Sequence, residues 1–207
     1  MRTYQSTIFL LSKAQIKELE EIVRLFEKAE KDLKKSEHLD TKLTIPCINE
    51  LRYAGYHIAK ATSNDNTDEN LKKAVGHCKR AIYDANESAI VFLLERIATF
   101  QNDYSKSPNV STIVLGYSKL KQEILEISER IQHNKKQNRD SRDQYYEACT
   151  NDCDRLKDIE SLLNISRDEI NVLEARDVKA TRRFILGILI SFISLALIAT
   201  NFFISKA

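Results

Sequence analysis

Apolar side chains recur at a helical spacing along most of the chain, and this pattern predicts five helices. Near the N-terminus, apolar residues follow one another at steps of three, four and seven, so they share one face of a helix. These residues are Ile16, Leu19, Val23, Phe26 and Leu33. The same reasoning predicts helices at roughly 13–36, 46–62, 68–104 and 110–134, and a fifth that starts near 142.

Polar residues and helix breakers separate these segments. Ser12 and Gln15 have the spacing of a capping box, and Pro46 suits the first turn of the second helix. The polar string 63–69 predicts a short connection, and the stretch 133–143 is too polar to be buried, which predicts a hairpin tip. With 4 glycines and 2 prolines in 207 residues, few positions can break a helix, so the sequence predicts an all-α fold.

The most apolar stretch, residues 184–204, contains no charged side chain. At about 1.5 Å per residue, a helix of this length matches the roughly 30 Å hydrocarbon core of a bilayer. The basic residues before it outnumber the single one after it: Arg176, Lys179, Arg182 and Arg183 against Lys206. Because excess Lys and Arg stay in the cytoplasm, we expect a single-pass, tail-anchored membrane protein with a cytoplasmic N-terminal domain.

These patterns divide the chain into three parts. Residues 1–141 are expected to form a cytoplasmic helical bundle, 142–183 a long connecting helix like that of a coiled coil, and 184–204 the transmembrane helix. No glycine or proline lies between Gly116 and Gly187. The fifth helix is therefore expected to run into the membrane without a break.

A stripe of residues at alternating steps of three and four runs down the fifth helix from Cys149 to Ser205. In the soluble half its members are mainly apolar: Leu156, Ile159, Leu163, Ile170 and Leu173. This is typical of coiled-coil or bundle packing. In the membrane half they are mostly small or polar, and lipid disfavours such a face. We therefore expect the fifth helix to self-associate.

Two interpretations of the membrane half remain open. In the first, the small residues only let neighbouring helices pack closely. In the second, three or more copies, a tetramer being one option, surround a pore. The candidate pore-lining residues are Phe184, Gly187, Ser191, Ser194, Ile198 and Asn201. In that case Phe184 and Ile198 would be apolar constrictions that close by dewetting. The pattern indicates an oligomer more directly than it indicates a channel.

Basic and aromatic residues alternate on the second and third helices, in "ELRYAGYHIAKA" and "LKKAVGHCKRAIYDA". The candidate ligand-binding residues are Arg52, Tyr53, Tyr56, His57, Lys60, Lys73, His77 and Arg80. Such a surface suits an anionic ligand with stackable bases, such as a nucleotide or a single-stranded oligonucleotide. The alternative is that the rings seal a helix–helix contact and the cations lie on a solvated face. A second basic cluster at 135–142 is interpreted as a solvated hairpin tip.

The sequence predicts no catalytic residues, no cofactor and no metal site. The four glycines are isolated, so no glycine-rich phosphate loop occurs, and the four cysteines form no CxxC pair and are interpreted as packing residues. Arg52 and His57 match the loose Arg-x4-6-His pattern of HEPN ribonucleases. Tyr53, however, stands where that family usually has a polar residue. A membrane-tethered, HEPN-like RNase is kept as an alternative.

The helical cytoplasmic domain, the long helix that enters one C-terminal span, and the hairpin "ELRYAGYHIAKA…HCKRAIYDA" together resemble the membrane effectors of bacterial anti-phage systems, in particular the Hailong-type effectors. This resemblance implies an oligomeric channel in the bacterial inner membrane. It also implies a cytoplasmic funnel that binds a nucleic-acid oligomer made by a partner nucleotidyltransferase. The bound oligomer would keep the channel shut, and its loss during infection would depolarise the cell.

Three functions therefore remain as hypotheses. The first is a ligand-gated, pore-forming effector, which the resemblance favours. The second is a tail-anchored tethering or fusion protein, to which a helix continuous with its membrane span would be suited. The third is the membrane-tethered RNase.

Overall fold

Helices account for all regular secondary structure in the part of the chain that the structure describes. The computed structural model describes residues 11–63, 66–137 and 139–204, with side chains for all of these except 139–140 and 199–204. The α-helices are α1 (Lys13–Asp40), α2 (Ile45–Thr62), α3 (Thr67–Asp103), α4 (Asn109–Ile113), α5 (Tyr117–Lys136) and α6 (Tyr146–Ile204), and a 3-10 helix spans Arg139–Gln144. The predicted all-α class is confirmed.

The helix ends follow local capping signals. At the start of α1 the backbone N–H of Ser12 donates to Oε1 of Gln15 at 2.8 Å, and the N–H of Gln15 donates to Oγ of Ser12 at 3.2 Å, which is the predicted capping box. α1 continues past its predicted end to Asp40, where Thr41 adopts a left-handed conformation and its N–H caps the carbonyl of Glu37. Both α2 and α3 begin and end within one residue of their predicted bounds.

α3 is the central helix of the bundle, and its first half packs against α1 and α2. The buried residues of this first core are Ile22, Leu25, Ala29, Cys47, Ala54, Ala61, Leu71, Ala74, Cys78, Ala81, Ile82 and Ala85. Most are small, so the helix backbones can approach closely. This packing fixes the relative position of the α2 and α3 faces that carry the predicted ligand-binding residues.

The second half of α3 packs against α5 and the first part of α6, and α4 packs against α5 and α6. The larger side chains of this second core include Ile90, Leu93, Ile97, Phe100, Ile124, Ile127, Ile131, Leu156, Ile159, Leu163 and Ile170. Tyr146, the first residue of α6, contacts both cores. The start of α6 is therefore held where the two halves of the bundle meet.

The predicted single helix at 110–134 is wrong, because the chain forms two helices there. α4 ends at Ile113, Val114 has an extended backbone, and α5 begins at Tyr117 after Gly116. Gly116 has φ +73°, in the left-handed region that glycine enters without a steric penalty. The side chain of Val114 is buried by this turn, at 1% exposure.

The expectation that the whole polar stretch 133–143 is solvated is wrong for Arg142. Its Nη1 donates to Oδ1 of Asp84 on α3 at 2.7 Å, and the Arg142 side chain is 20% exposed. Lys135 and Lys136 are exposed as expected, although Nζ of Lys135 lies 3.4 Å from Oε1 of Glu87. The 3-10 helix before α6 is therefore tied to α3 by a partly buried ion pair.

α6 is one continuous helix of 59 residues from Tyr146 to Ile204, as predicted, and is about 88 Å long. Up to Ile170, buried residues recur every three or four positions along α6. Every described side chain from 175 to 198 is exposed. This apolar end makes α6 the one helix in the described residues that is long and apolar enough to cross a membrane. We call residues 184–204 the apolar segment.

The apolar half of the α6 stripe, from Leu156 to Leu173, was predicted to mediate self-association. In the structure it is covered mainly by α3 of the same chain. Leu163 is 1% exposed and Ile170 is fully buried within one copy. The same apolar spacing serves a coiled coil and a bundle, so the spacing alone could not identify the covering helix. Any contact between copies that involves α6 must therefore use other residues of that helix.

Candidate ligand groove

The α2–α3 hairpin brings the eight predicted ligand-binding residues to one side of the bundle. The two helices are antiparallel: His57 hydrogen-bonds to Asn70, and Glu50, seven residues earlier, bonds to His77, seven residues later. Tyr53 on α2 lies against His77 on α3, with ring centroids 5.4 Å apart.

Four rings form a continuous row across this hairpin. Tyr53 contacts His77, and His77 stacks on His57 with centroids 5.1 Å apart and planes 16° apart. His57 in turn meets Tyr56 edge-on at 5.4 Å. Both histidines use Nδ1 inside the protein, His57 with Oδ1 of Asn70 at 2.7 Å and His77 with Oε2 of Glu50 at 2.8 Å. The orientation of both imidazoles is thus fixed by the bundle.

A buried carboxylate, which the sequence analysis missed, organises the basic residues of α3. Glu50 is 3% exposed and accepts from Nε of Arg80 at 3.0 Å in addition to its contact with His77. Burial alone would raise the pKa of Glu50, but the hydrogen bonds from His77 and Arg80 outweigh it and lower the pKa. Part of the predicted positive charge is therefore balanced inside the protein.

A sequence signal for Glu50 exists. Cys47, Glu50 and Ala54 follow one another at steps of three and four and are all buried, so Glu50 occupies the apolar side of α2. A carboxylate in such a position requires a charged partner, since an unpaired buried charge is strongly unfavourable. His77 and Arg80 on the next helix are those partners.

Beside the rings lies an open groove of about 560 Å³. Its lining comprises His57, Glu69, Lys72, Lys73, Gly76, His77, Arg80 and Asp143. Lys72 was not among the predicted residues, although it adjoins Lys73 in the sequence. Asp143 comes from the 3-10 helix before α6, so this groove is the place where the predicted ligand-binding face meets the segment that leads into α6.

Gly76 lies on the floor of this groove. A Cβ placed on Gly76 would lie 3.3 Å from Nη1 of Arg80 and 3.7 Å from Oδ2 of Asp143. Glycine at this position therefore leaves the room that the Arg80 guanidinium occupies between α3 and Asp143.

The remaining predicted residues lie outside the groove, on the exposed face of α2. The guanidinium of Arg52 lies over the ring of Tyr53 at 5.1 Å, and Nζ of Lys60 lies over the ring of Tyr56 at 5.4 Å. Tyr53 is 43% exposed and Tyr56 is 54% exposed. The eight residues thus form an inner group of groove cations and histidines and an outer group of cation–ring pairs.

The structure also bears on RNA cleavage, metal binding and thiol chemistry. Of the two residues of the HEPN-like pattern, Arg52 lies over the ring of Tyr53, whereas His57 stacks on His77. No cluster of three or more His, Cys, Asp or Glu in the described residues is arranged to hold a metal ion. All four cysteines are buried free thiols, and burial raises the pKa of Cys47 and of Cys78 to about 12. Those two are protonated near neutral pH and poor nucleophiles.

In the apolar segment, the hydroxyls of two predicted pore-lining residues bond to their own helix. Ser191 donates to the carbonyl of Gly187 and Ser194 donates to that of Ile190, both at 2.9 Å. Each hydroxyl is therefore satisfied without a partner helix. Phe184, Gly187, Ser191, Ser194 and Ile198 are all exposed, and the side chain of Asn201 lies outside the described residues.

Comparison with known proteins adds no relative: the chain matches no family model, no curated protein and no solved structure.

Proposed function

We propose that this protein is a membrane-anchored receptor that forms a pore. The apolar segment crosses a bilayer, several copies assemble around its small and polar side, and the cytoplasmic bundle controls the pore by binding an anionic ligand. The observation that carries this proposal is the uninterrupted α6, which joins the 3-10 helix at the groove to the apolar segment through one rigid helix.

The proposed ligand is a nucleotide or a single-stranded oligonucleotide. The groove offers Lys72 for a phosphate group. Lys73 and Arg80 also line it, and a phosphate there would share them with the carboxylates of Glu69, at 2.6 Å from Lys73, and Glu50, at 3.0 Å from Arg80. The rings of Tyr53 and Tyr56 are exposed and suit base stacking. Because Nδ1 of each histidine is already engaged, Nε2 is the ring nitrogen left for a ligand. Stacking tolerates any base, so this surface suits a class of ligands rather than one sequence.

The likeness of the sequence to anti-phage membrane effectors supplies the biological setting of the proposal. In that setting the protein lies in a bacterial inner membrane with its bundle in the cytoplasm, and a partner nucleotidyltransferase makes the ligand. The cytoplasmic orientation is supported by Arg176, Lys179, Arg182 and Arg183, which precede the apolar segment.

The direct test is binding of a labelled single-stranded oligonucleotide to the full-length protein in detergent at low salt. Lys72→Gln with Lys73→Gln should weaken binding about tenfold or more and reduce the salt dependence by roughly one to two charges. Lys31→Gln with Lys34→Gln, exposed on α1, is the matched control and should leave the affinity unchanged. Equal affinities in the two double variants, or none in the wild type, would reject the groove as the ligand site.

One observation favours the tethering function as a second candidate. Leu162, Ile165 and Val172 lie on α6 outside the apolar segment and are 45%, 71% and 50% exposed. Apolar side chains in such a row are available to a partner helix. Clustering of liposomes by the reconstituted protein without leakage of their contents would favour tethering over the pore.

A further inference from the structure

Four basic residues lie on the last turns of α6 before the apolar segment. Arg176, Lys179, Arg182 and Arg183 are all exposed. Arg176, Lys179 and Arg183 are three and four residues apart, so they share one side of the helix, and Arg182 lies next to that side. We call these four residues the basic stripe.

The acidic residues of the same turns lie on the other side of α6, towards the bundle. Glu174 is half-buried, and Oδ2 of Asp177 accepts a hydrogen bond at 3.0 Å from Nδ2 of Asn109, the first residue of α4. The acidic groups are thus separated from the basic stripe by the helix itself. The side of α6 that faces away from the bundle therefore carries a concentrated positive charge.

Helix geometry fixes how far each cation lies from the apolar segment. At about 1.5 Å per residue, Arg183, Arg182 and Lys179 lie roughly 2, 3 and 8 Å before Phe184 along the axis. The headgroup layer of one leaflet is roughly 5–8 Å thick, so these three side chains fall within it. Arg176, about 12 Å away, remains within reach of the surface potential, which decays over about 8 Å beyond the headgroups. Side chains of a helix lean towards its N-terminus, which here directs the cations out of the hydrocarbon and towards the headgroups.

We propose that the basic stripe is a binding site for anionic phospholipid headgroups, which gathers such lipids around the point where α6 enters the bilayer. This inference rests on the proposed membrane crossing, but not on the ligand or the pore. Guanidinium groups bind phosphate in a bidentate manner, so the three arginines suit a phosphodiester with a net negative charge. A zwitterionic headgroup presents a compensating ammonium and would be held less well.

The absence of tryptophan from the chain permits a local test. Full-length protein with Phe184→Trp is reconstituted into phosphatidylcholine vesicles that contain the same mole fraction of either brominated phosphatidylglycerol or brominated phosphatidylcholine. The bromine atoms quench only a nearby tryptophan. We expect the brominated anionic lipid to quench several-fold more strongly than the zwitterionic one.

The triple change Lys179→Gln, Arg182→Gln and Arg183→Gln should abolish that difference, since each basic residue near an anionic surface contributes about fivefold in affinity. The control triple, Lys17→Gln, Lys31→Gln and Lys34→Gln, removes the same charge from the exposed face of α1 and should retain it. Equal quenching by the two lipids in the Phe184→Trp protein with an intact basic stripe, or a preference that survives the stripe substitutions, would overturn the proposal.

Two further measurements separate this proposal from its alternatives. Extraction at alkaline pH shows whether the protein is inserted; release of the wild type into the soluble fraction would refute both the membrane crossing and the lipid site. Oligonucleotide binding is measured on the same variants. If the stripe substitutions abolish oligonucleotide binding and leave lipid quenching unchanged, the stripe binds nucleic acid and the lipid proposal is wrong. A loss of lipid preference with unchanged oligonucleotide binding supports the lipid site, whatever the outcome for the groove.

Discussion

Arg142 donates from Nη1 to Oδ1 of Asp84 at 2.7 Å, and this ion pair ties the segment that precedes α6 to the central helix α3. The Asp84 side chain is 2% exposed, and its second oxygen, Oδ2, has no hydrogen-bond partner among the described residues. A carboxylate in such surroundings depends on its single cationic partner.

Removing that partner should therefore destabilise the bundle. We expect Arg142→Met to lower the free energy of unfolding at neutral pH by about 3 kcal/mol, because it leaves a buried charge without compensation. Denaturant unfolding of the detergent-solubilised protein, followed by helical circular dichroism, measures this. Arg155→Met breaks an exposed pair with Glu123 and should lower it by less than about 1 kcal/mol. Equal losses in the two variants would contradict a structural role for the Arg142 pair.

Asp84 should also make stability depend on pH. Burial raises the pKa of Asp84 from 3.8 to about 6, and Arg142 offsets this only in part. Between these values the folded protein binds a proton that the unfolded chain does not. The contribution of Asp84 to stability is therefore complete below about pH 4 and is lost as the pH rises through about 6.

The wild type should lose stability as the pH is raised from about 4 to 7, whereas Asp84→Asn cannot lose this contribution because it has no carboxyl group there. The unfolding free energy of Asp84→Asn, measured relative to that of the wild type, should therefore increase over this range. The increase should be of the order of 2–3 kcal/mol. Denaturant unfolding at a series of pH values measures it. Asp158→Asn, exposed on α6, provides the baseline and should show no such increase. A difference that stays flat or falls with pH would show that Asp84 is already ionised at pH 4.

Two glycines that are equally free of neighbours should respond in opposite ways to alanine. No atom lies within 4 Å of a Cβ built on either Gly116 or Gly55, so neither substitution causes a clash. Gly116 has φ +73°, and alanine there should destabilise the protein by about 1 kcal/mol. Gly55 lies within α2 in helical conformation, and alanine should stabilise it by about 0.5–1 kcal/mol. Thermal unfolding of both variants measures the two effects. A change in stability of the same sign in both variants would refute this account of the α4–α5 turn.

The helices could be predicted from the sequence where local signals determine them. The capping box at Ser12 and the proline at the start of α2 are contacts within one turn of the helix, and the bounds predicted from them hold closely. The α4–α5 break was missed because an isolated glycine does not reveal its backbone conformation. Gly55 remains helical while Gly116 turns the chain.

Long-range partners were harder to predict. The apolar spacing of Leu163 and Ile170 identified a buried face but not its partner, which proves to be α3 of the same chain. Leu163→Asp or Ile170→Asp would therefore unfold the bundle whether or not copies associate. Glu50 and Arg142 are polar residues whose partners lie 27 and 58 residues away in sequence, and periodicity within one helix carries no information on such pairs.

Asp143, one of the two acidic residues that line the groove, offers a test of ligand charge that does not depend on removing a cation. Asp143 lines the groove beside Lys72, Lys73 and Arg80. Asp143→Asn removes a negative charge at nearly constant volume, so an anionic ligand should bind more tightly, by about threefold to tenfold. Titration of the full-length protein with a labelled single-stranded oligonucleotide measures the affinity. Asp158→Asn changes the net charge equally and should leave it unchanged. Weaker binding in Asp143→Asn would indicate that the carboxylate itself contacts the ligand.

The pore proposal depends on which side of the apolar segment faces a lumen. Ile198 and Leu195 are 66% and 64% exposed in a single copy, so they differ little except in direction. Leu195 is one residue from Ser194, and therefore about 100° around the helix from it, whereas Ile198 lies one turn further along the same side. If copies surround a lumen on that side, Ile198 is an apolar ring that water crosses only when the ring widens or becomes polar.

Ile198→Ser should therefore conduct even when the controlling ligand is bound, which would appear as loss of membrane potential in expressing cells or dye leakage from proteoliposomes. Leu195→Ser, the matched control, should change conductance little. Ser194→Leu should block the lumen and relieve the leak without reducing membrane insertion, since the Ser194 hydroxyl bonds only to the carbonyl of Ile190 in its own helix and leucine is favoured in a span. Protein in the membrane fraction is quantified for each variant. Equal leakage from Ile198→Ser and Leu195→Ser at equal membrane abundance would mean that the small and polar side of the apolar segment only packs against other helices, and tethering would then be the better account of the protein.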